Sequence, residues 1–422
     1  MAPSTGSLVH LMHGLSLKQH SKGVWDWELA ASRYDYVRDA VRTPLVPVAG
    51  LDSAGRGSLT DLSGSGWQTY ALKGIWRPVP AHVVEMGLQG ETAMLRNAVR
   101  ATADWRSGAA AGRLSTFNGN TRLQSLYLQD AWRWSQDFKT TLGLRYEHWQ
   151  AFGGEMSNAS SVAPLPLRAR AENSWSPKAA LAWKGESEWG LKASLGRAVR
   201  NPTASELFQG SIVDQVIVNT NPALRAEKSW TGELSAERTR ADDVLRLTLF
   251  HETTRDALYS QALTPTVNTV QNVDQVRTHG LELAHQADDV LVPGLTVNSS
   301  VTWADSIIAE NQGFPASVGK RQPRVPDWRA NLMAAWRLDD KWSATFGVRY
   351  SGRQFGTLDN SDPHGDTYTG VSTYTVADVR LRYRFDRHWS AAVGVDNLNN
   401  ATYWAFHPYT QRTVLAELRW DL

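Results

Sequence analysis

The sequence predicts an all-β protein, an antiparallel transmembrane β-barrel wall of about seventeen strands, each near the 9–11 residues that a tilted membrane strand needs. Three observations carry this expectation. Side chains alternate between apolar and polar along nearly the whole chain. Short and long connections alternate from one end to the other. The tryptophans gather beside the short connections.

The alternation is clearest in two segments. Over 141–149, Leu142, Leu144 and Tyr146 share one face and Gly143, Arg145 and Glu147 the other. Over 378–385, Val379, Leu381, Tyr383 and Phe385 oppose Asp378, Arg380, Arg382 and Arg384. Residues 343–351 and 414–422 repeat the pattern. A period of two is the strand template, and the charged face is too regular for a helix. Neither an amphipathic helix nor a low-complexity linker is expected, so residues 1–422 read as one domain.

Short connections are expected near 18–23, 77–80, 134–137, 185–188, 239–243, 286–293, 338–341 and 385–388. Long ones are expected near 34–66, 92–121, 150–171, 198–226, 256–270, 305–324, 353–371 and 398–408. An outer-membrane barrel has a reason for that alternation, with tight periplasmic turns and long external loops. A soluble sandwich or propeller has none, and a soluble β adhesin or sugar-binding protein would need no membrane belt. Trp76, Trp132, Trp134, Trp183, Trp189, Trp336, Trp342 and Trp389 all flank short turns. An indole favours the headgroup level, with its ring in hydrocarbon and its N–H toward water.

Composition narrows the chemistry. The 422 residues include 19 Trp and no Cys. Without cysteine there is no disulfide scaffold, thiolate metal site or cysteine nucleophile. Lys+Arg 44 against Asp+Glu 42 gives a net charge of +2, which lacks the basic excess of a nucleic-acid binder. Hydrophobic content of 42% and a mean hydropathy of −0.39 exclude a helical membrane protein, but not a barrel whose strands are apolar on one face. No secretory signal is visible at the N-terminus.

Five segments resemble TonB-dependent outer-membrane receptors. Residues 194–208, containing Arg197, Arg200, Pro202, Glu206, Leu207 and Phe208, resemble the mid-barrel segment GR-x-x-R-x-P-x-x-x-E-L-F/Y. Asn221-Pro222-Ala223-Leu224-Arg225-Ala226-Glu227 resembles NP-x-L-x-P-E, with Ala226 in place of the usual Pro. Gly280-Leu281-Glu282 is similar to a later G-x-E strand, and Val325-Pro326-Asp327-Trp328 to a VP-x-H strand entry without its His. Asn397-Leu398 with Tyr403 and Arg412 resembles the closing hairpin, although the chain ends in Leu422 where Phe is usual. The resemblance covers roughly residues 120–422.

The resemblance implies a 22-stranded barrel with an N-terminal plug. The expectation here is its C-terminal part, without the plug and about five strands, since an odd strand count does not close a native barrel. The alternative is that residues 8–17 are no strand and sixteen strands close as an ungated pore. The resemblance further implies a non-enzymatic, monomeric receptor in outer-membrane lipid. It would be energised by the TonB complex through the plug, for a ferric siderophore or else for cobalamin, haem or another metal chelate. No resident cofactor or metal, and no nucleic acid, is expected.

Candidate ligand contacts lie at the expected external loops: Arg321, Arg324 and Arg353, which suit an anionic chelate, and His364, Tyr368, Trp404, His407 and Tyr409. His148, His251 and His279 fall within strands and read as wall or lumen residues. The pairs Asp242-Asp243, Asp288-Asp289 and Asp339-Asp340 sit at short turns, where Asp bonds the backbone. Neither a nucleophile elbow nor a phosphate-cradling glycine loop occurs.

Overall fold

The computed structural model describes residues 3–422 apart from 47–52, 187, 214–215, 219, 265–266, 363–364 and 369. The first half of the chain comprises β1 (Thr5–Gln19), β2 (Trp25–Pro44), β3 (Gly57–Asp61), β4 (Gly66–Trp76), β5 (His82–Thr102), β6 (Ala110–Arg133), β7 (Phe138–Asn158), β8 (Leu165–Pro166), β9 (Arg170–Lys184) and β10 (Trp189–Arg200). Then come the short helix α1 (Ala204–Phe208), β11 (Ser211–Val213) and β12 (Val216–Val218). The second half comprises β13 (Glu227–Thr239), β14 (Asp243–Thr264), β15 (Val267–Ala287), β16 (Leu295–Glu310), β17 (Trp328–Arg337), β18 (Trp342–Ser351), β19 (Tyr374–Arg384), β20 (Trp389–Asp396), β21 (Trp404–Ala405), β22 (His407–Pro408) and β23 (Thr413–Trp420).

Nineteen strands form one antiparallel sheet. β3 and β4 share the place between β2 and β5, and β8 and β9 share the side of β7, so the nineteen fill seventeen positions in the wall. Each position is bonded to the next in chain order, from β1 on β2 to β20 on β23. Among the described residues no ladder joins β1 to β23.

The expected faces are the observed ones. Leu142, Leu144, Leu381 and Val393 are exposed on the outer face, where hydrocarbon is their solvent. Two strands show the vertical layout. β9 presents Trp175, Pro177, Ala179, Leu181 and Trp183 outward, and β17 presents Trp328, Ala330, Leu332, Ala334 and Trp336. Each begins and ends its apolar run with an indole, eight residues apart. That is about 27 Å along the strand, or about 21 Å of membrane depth at a tilt near 40°, which lies within the roughly 25 Å apolar band of such barrels. At the lower belt Trp25 stacks on Trp76 at 5.5 Å, and Trp342 meets Tyr383 at 4.5 Å. The inner face is polar and paired, as in Lys73–Glu85 at 3.2 Å and Arg145–Glu147 at 2.9 Å.

The short turns fall where expected, and their aspartates work as turn anchors. Asp339 accepts from the Lys341 and Trp342 backbone N–H groups, both at 2.7 Å, and these bonds hold its carboxyl below the usual carboxylate range. Asp386 does the same for His388 and Trp389. The long connections are shorter than expected. Most of 92–121 belongs to β5 and β6, and most of 256–270 to β14 and β15. β6 alone has 24 residues, a length of about 80 Å that carries it well beyond a hydrocarbon core of about 30 Å. Above the membrane both faces of a strand meet water, so the alternation that marks a strand is no longer required.

Leu381 lies on the outer face opposite Val393 and Ala344, within the apolar band. Leu381→Arg is expected to lower unfolding free energy in lipid vesicles by about 2–4 kcal/mol. Urea unfolding followed by tryptophan emission checks this, with Arg382→Leu on the inner face as the comparison.

Candidate functional site

Two structures stand on the long-loop end of the wall. The first is built by the 194–227 segment. The ladder between β9 and β10 runs up to the Gly196–Lys178 pair and stops below Pro177, which has no N–H to give. Arg197 donates instead to the Trp175 carbonyl at 2.7 Å. β10 then ends before the buried Pro202. Thr203 caps α1: its hydroxyl accepts from the Glu206 N–H at 3.2 Å, while its own N–H donates to Glu206 at 2.8 Å. Arg200 closes on the same carboxylate at 2.6 Å. Burial pushes the Glu206 carboxyl up, but the Thr203 N–H and the Arg200 guanidinium outweigh it and hold the group below its ordinary range.

This capped turn aims Leu207 and Phe208 at the inner face of β5–β7. There they bury against Leu95, Trp149, Ala151 and Leu224. Phe208 fits only because two wall residues lack side chains. A Cβ on Gly119 would stand 2.1 Å from the Phe208 ring, and one on Gly154 would stand 2.6 Å from it. The return is pinned in turn. Asn221 donates to the Val270 carbonyl at 2.9 Å, Pro222 follows in the turn before β13, and Glu227 accepts from the Leu258 N–H at 2.9 Å. Ala226, where the family pattern has Pro, is fully buried.

The second structure joins the connections after β16, β18 and β20. Arg321 and Asn360 exchange two bonds, at 2.8 and 2.9 Å, which ties the first of these loops to the second. The Arg321 guanidinium lies 3.8 Å from Asp305. Arg324 has φ near 64° and donates its N–H to the Phe355 carbonyl at 2.9 Å. Its guanidinium stands 4.5 Å over the Phe406 ring, and Arg353 stands 4.6 Å over Phe355. Tyr368 meets Trp404 edge-on at 5.1 Å and His407 at 5.9 Å. Ser372 and Trp404 exchange two bonds at 2.9 Å, fixing the second loop to the third.

Of the eight residues expected at the ligand, Tyr368, Trp404 and His407 are in ring contact, Arg324 joins them through Phe406, and Arg353 stands over Phe355, whose carbonyl takes the Arg324 N–H. Arg321 serves the loop junction at their edge. Tyr409 stacks apart from them on Tyr403 at 4.8 Å, and burial pushes the Tyr403 phenol up, so it stays protonated. His364 lies outside the described residues. Phe355 and Phe406, which carry the two guanidinium groups, were not among the expected contacts. The aromatic density of Tyr403-Trp404-Ala405-Phe406-His407-Pro408-Tyr409 was the available signal.

Below this cluster sits the closing hairpin. Asn397, with φ near 54°, donates to the Ala401 carbonyl and accepts from the Ala401 N–H, both at 2.8 Å, and takes the Asp378 carboxylate on its backbone N–H at 2.9 Å. Arg412 is held through its own N–H by Asn400 at 3.1 Å. The three in-strand histidines are wall residues. His251 and His279 are cross-strand partners, and His148 bonds Asn173 at 2.7 Å. Among the described residues no group of three or more acidic or histidine side chains is placed to hold a metal ion.

Wall, aromatic belts and loop crown together define an outer-membrane β-barrel protein. Residues 10–398 match the family described as TonB dependent receptor-like, beta-barrel. The chain belongs to this family of receptors and transporters, which are not enzymes, and it is a protein of the bacterial outer membrane. It is 23% identical over 310 residues to the ferric enterobactin receptor of Pseudomonas aeruginosa, covering 68% of this chain and 39% of that protein. It is 21% identical over 323 residues to an iron-regulated outer membrane virulence protein of Vibrio cholerae, covering 72% of this chain and 44% of that protein. The chain thus spans about two fifths of the length of these relatives. Its fold is that of the copper transporter OprC, with a TM-score of 0.75 at 15% identity over 99% of this chain and 66% of OprC. The siderophore receptor PiuA of Acinetobacter baumannii gives 0.70 at 14% identity, over 97% of this chain and 63% of that one.

Two predictions follow from the α1 socket. Gly119→Ala forces Phe208 out and is expected to cost about 1–3 kcal/mol. Phe208→Ala costs about 3–5 kcal/mol, and the double variant less than their sum, because the clash disappears with the ring. Denaturant titration of the four proteins measures the coupling. Glu206 has a lowered folded-state pKa, so its contribution is present above the unfolded carboxylate value and is lost as pH falls through the folded one. Protection of the Leu207 amide from hydrogen exchange, corrected for intrinsic rate, is therefore expected to drop on acidification below the ordinary carboxylate range. In Glu206→Gln that drop should vanish.

Proposed function

We propose that residues 1–422 are the barrel domain of a receptor that captures an anionic metal chelate outside the cell, a ferric siderophore being the cargo best supported. Uptake is energised by the TonB complex acting through a plug domain in the lumen. The observation that carries this reading is the loop crown. Arg324 stands over Phe406 and Arg353 over Phe355, on the joined loops that also carry the exposed Tyr368 and His407 and the half-buried Trp404. Guanidinium groups bind carboxylate or phenolate oxygens with two donors each, and the rings supply apolar area for a bulky organic shell. A rigid barrel holding its contacts on loops is the usual arrangement for recognition. The names of the relatives agree with an iron chelate: one is a ferric enterobactin receptor, and another is iron-regulated.

The test is quenching of tryptophan emission in the folded chain, in detergent, by ferric enterobactin, ferric citrate, haem and cobalamin. At least one ferric chelate is expected to quench saturably. Arg324→Gln with Arg353→Gln is expected to weaken it by roughly tenfold or more, in line with about 1.5–3 kcal/mol for a bond to a charged group. Saturable quenching by cobalamin alone, or an affinity indifferent to both arginines, would overturn the reading.

A further inference from the structure

The lipid-facing side of the wall, turned away from the lumen, carries an arrangement of its own over β7–β15. On β10, β13, β14 and β15 its apolar band is marked by the exposed Leu195, Leu234, Leu249 and Leu281. Counting from these leucines by twos toward the long-loop end keeps to the same face. It reaches Arg197 on β10, Trp230 and then Lys228 on β13, Arg255 on β14 and Arg277 on β15. Arg197 and Arg277 share the rung of Trp230. Lys228 and Arg255 are directly opposite each other one outward-facing step above it.

These four cations are neighbours without a counter-ion. Side chains directly opposite on a ladder stand about 5 Å apart at Cβ, and a like-charged pair there is destabilising. Arg197 is diagonal to Lys228, and Arg277 to Arg255, which adds a cation about 7–8 Å away on each side. The nearby carboxylates are engaged elsewhere. Asp256 and Asp274 hold Arg225 at 2.7 and 3.5 Å, and Asp305 lies 3.8 Å from Arg321 and 3.9 Å from His279. Glu310 stands across the ladder from Gln275. Among the described residues no carboxylate lies within ion-pair distance of Arg197, Lys228, Arg255 or Arg277. The outer face of β18 and β19 ends instead in the uncharged pair Tyr350 and Thr375.

Beside and below the cations the same face is concave. A groove of about 900 Å³ has Pro177 and Ala179 of β9 as its floor, Leu144 and Tyr146 on one side, and Leu195 and Trp230 on the other. Trp230 belongs to both features, since it lines the groove and is the ladder partner of Arg197. Hydrocarbon would cover any outward face of the wall. The groove differs in having unmatched positive charge at its upper end, at the level of lipid head groups.

We infer that this sector is a binding site for an anionic, phosphate-bearing acylated lipid of the outer leaflet. Its phosphates lie along Arg197, Lys228, Arg255 and Arg277, and one acyl chain lies in the groove below Trp230. Guanidinium groups hold phosphate with two donors, and clustered cations beside a membrane attract anionic head groups. The row spans three interstrand spacings, about 14 Å, which accommodates two phosphates on one head group. A zwitterionic head group brings its own cation and would leave the Lys228–Arg255 repulsion in place.

Diphosphoryl lipid A, which carries a phosphate at each end of its sugar head group, is the probe. The full chain is folded in a zwitterionic detergent and the lipid-bound fraction is read by native mass spectrometry. A saturable one-to-one adduct is expected. Lys228→Gln with Arg255→Gln should weaken it by about tenfold or more, and removing both phosphates from the lipid should do the same. Ala179→Phe, which fills the groove and leaves the charges alone, should also weaken it. Lys178→Gln with Lys192→Gln, on the inner face, should leave it within about twofold. Without lipid, the Lys228 and Arg255 variant should unfold in urea no earlier than the parent chain, because the like-charged pair is gone. Unchanged binding by that folded variant or equal binding of the dephosphorylated lipid overturns the site. Displacement of the lipid by inorganic pyrophosphate at equal concentration, or indifference to Ala179→Phe, overturns the lipid as its occupant.

Discussion

Everything in this molecule depends on pairing the backbone where no water can reach it. Within hydrocarbon each unmet N–H or C=O costs several kcal/mol, so every wall strand must bond its neighbours along its membrane-spanning length. Between β1 and β23 the wall meets this demand strand by strand, in chain order and without crossovers, while among the described residues the outer edges of β1 and β23 carry no ladder. Within the wall, Pro177 interrupts a ladder. It has no donor, the β9–β10 ladder ends there, and the Trp175 carbonyl loses its ladder partner. Arg197 supplies the missing donor from its side chain. A residue that reads as a family signature in the sequence is, in the structure, a repair to the ladder at the upper edge of the apolar band.

The same constraint explains which parts of the fold were legible. Inside the membrane one face of each strand meets lipid and the other the lumen, so the sequence must alternate, and Leu142, Leu144 and Leu381 could be placed outward from pattern alone. The short turns were legible because Asp339 and Asp386 bond the backbone two and three residues on, a strictly local event. Seventeen positions follow from counting the eight short turns together with the eight long connections between them. The upper strands were not legible. Over 92–121 neither face meets lipid, and the pairing of β5 with β6 is set by long-range register rather than by composition.

The loop structures were less legible still, for a related reason. α1 is five residues long, and its socket is made by Gly119 and Gly154, about ninety and fifty residues upstream of Phe208. Nothing near Phe208 in the chain announces them. In the crown, Arg324 and Arg353 were expected as cations, but the rings beneath them were not. Phe406 reaches Arg324 only because Ser372 fixes the third loop to the second and Asn360 fixes the second to the first. The residue types could be read from the sequence; their convergence is a property of three loops folded together.

These loop structures also divide the wall into unlike sectors. Over β5–β7 the upper inner face is apolar and filled, with Leu207 and Phe208 driven into it by a capped turn that Arg200 and Glu206 clamp shut. Over β17–β20 the upper end is a cation–aromatic crown, and the face beneath it carries Arg349 and Arg380 paired with Asp378 and Asp396, and Arg382 bonded to Ser390. One sector therefore buries its loop against the wall, while the other holds its loops together above it. The two sectors differ because their loops do: a short capped helix turns inward over β5–β7, while three loops tied by Asn360 and Ser372 stand together over β17–β20.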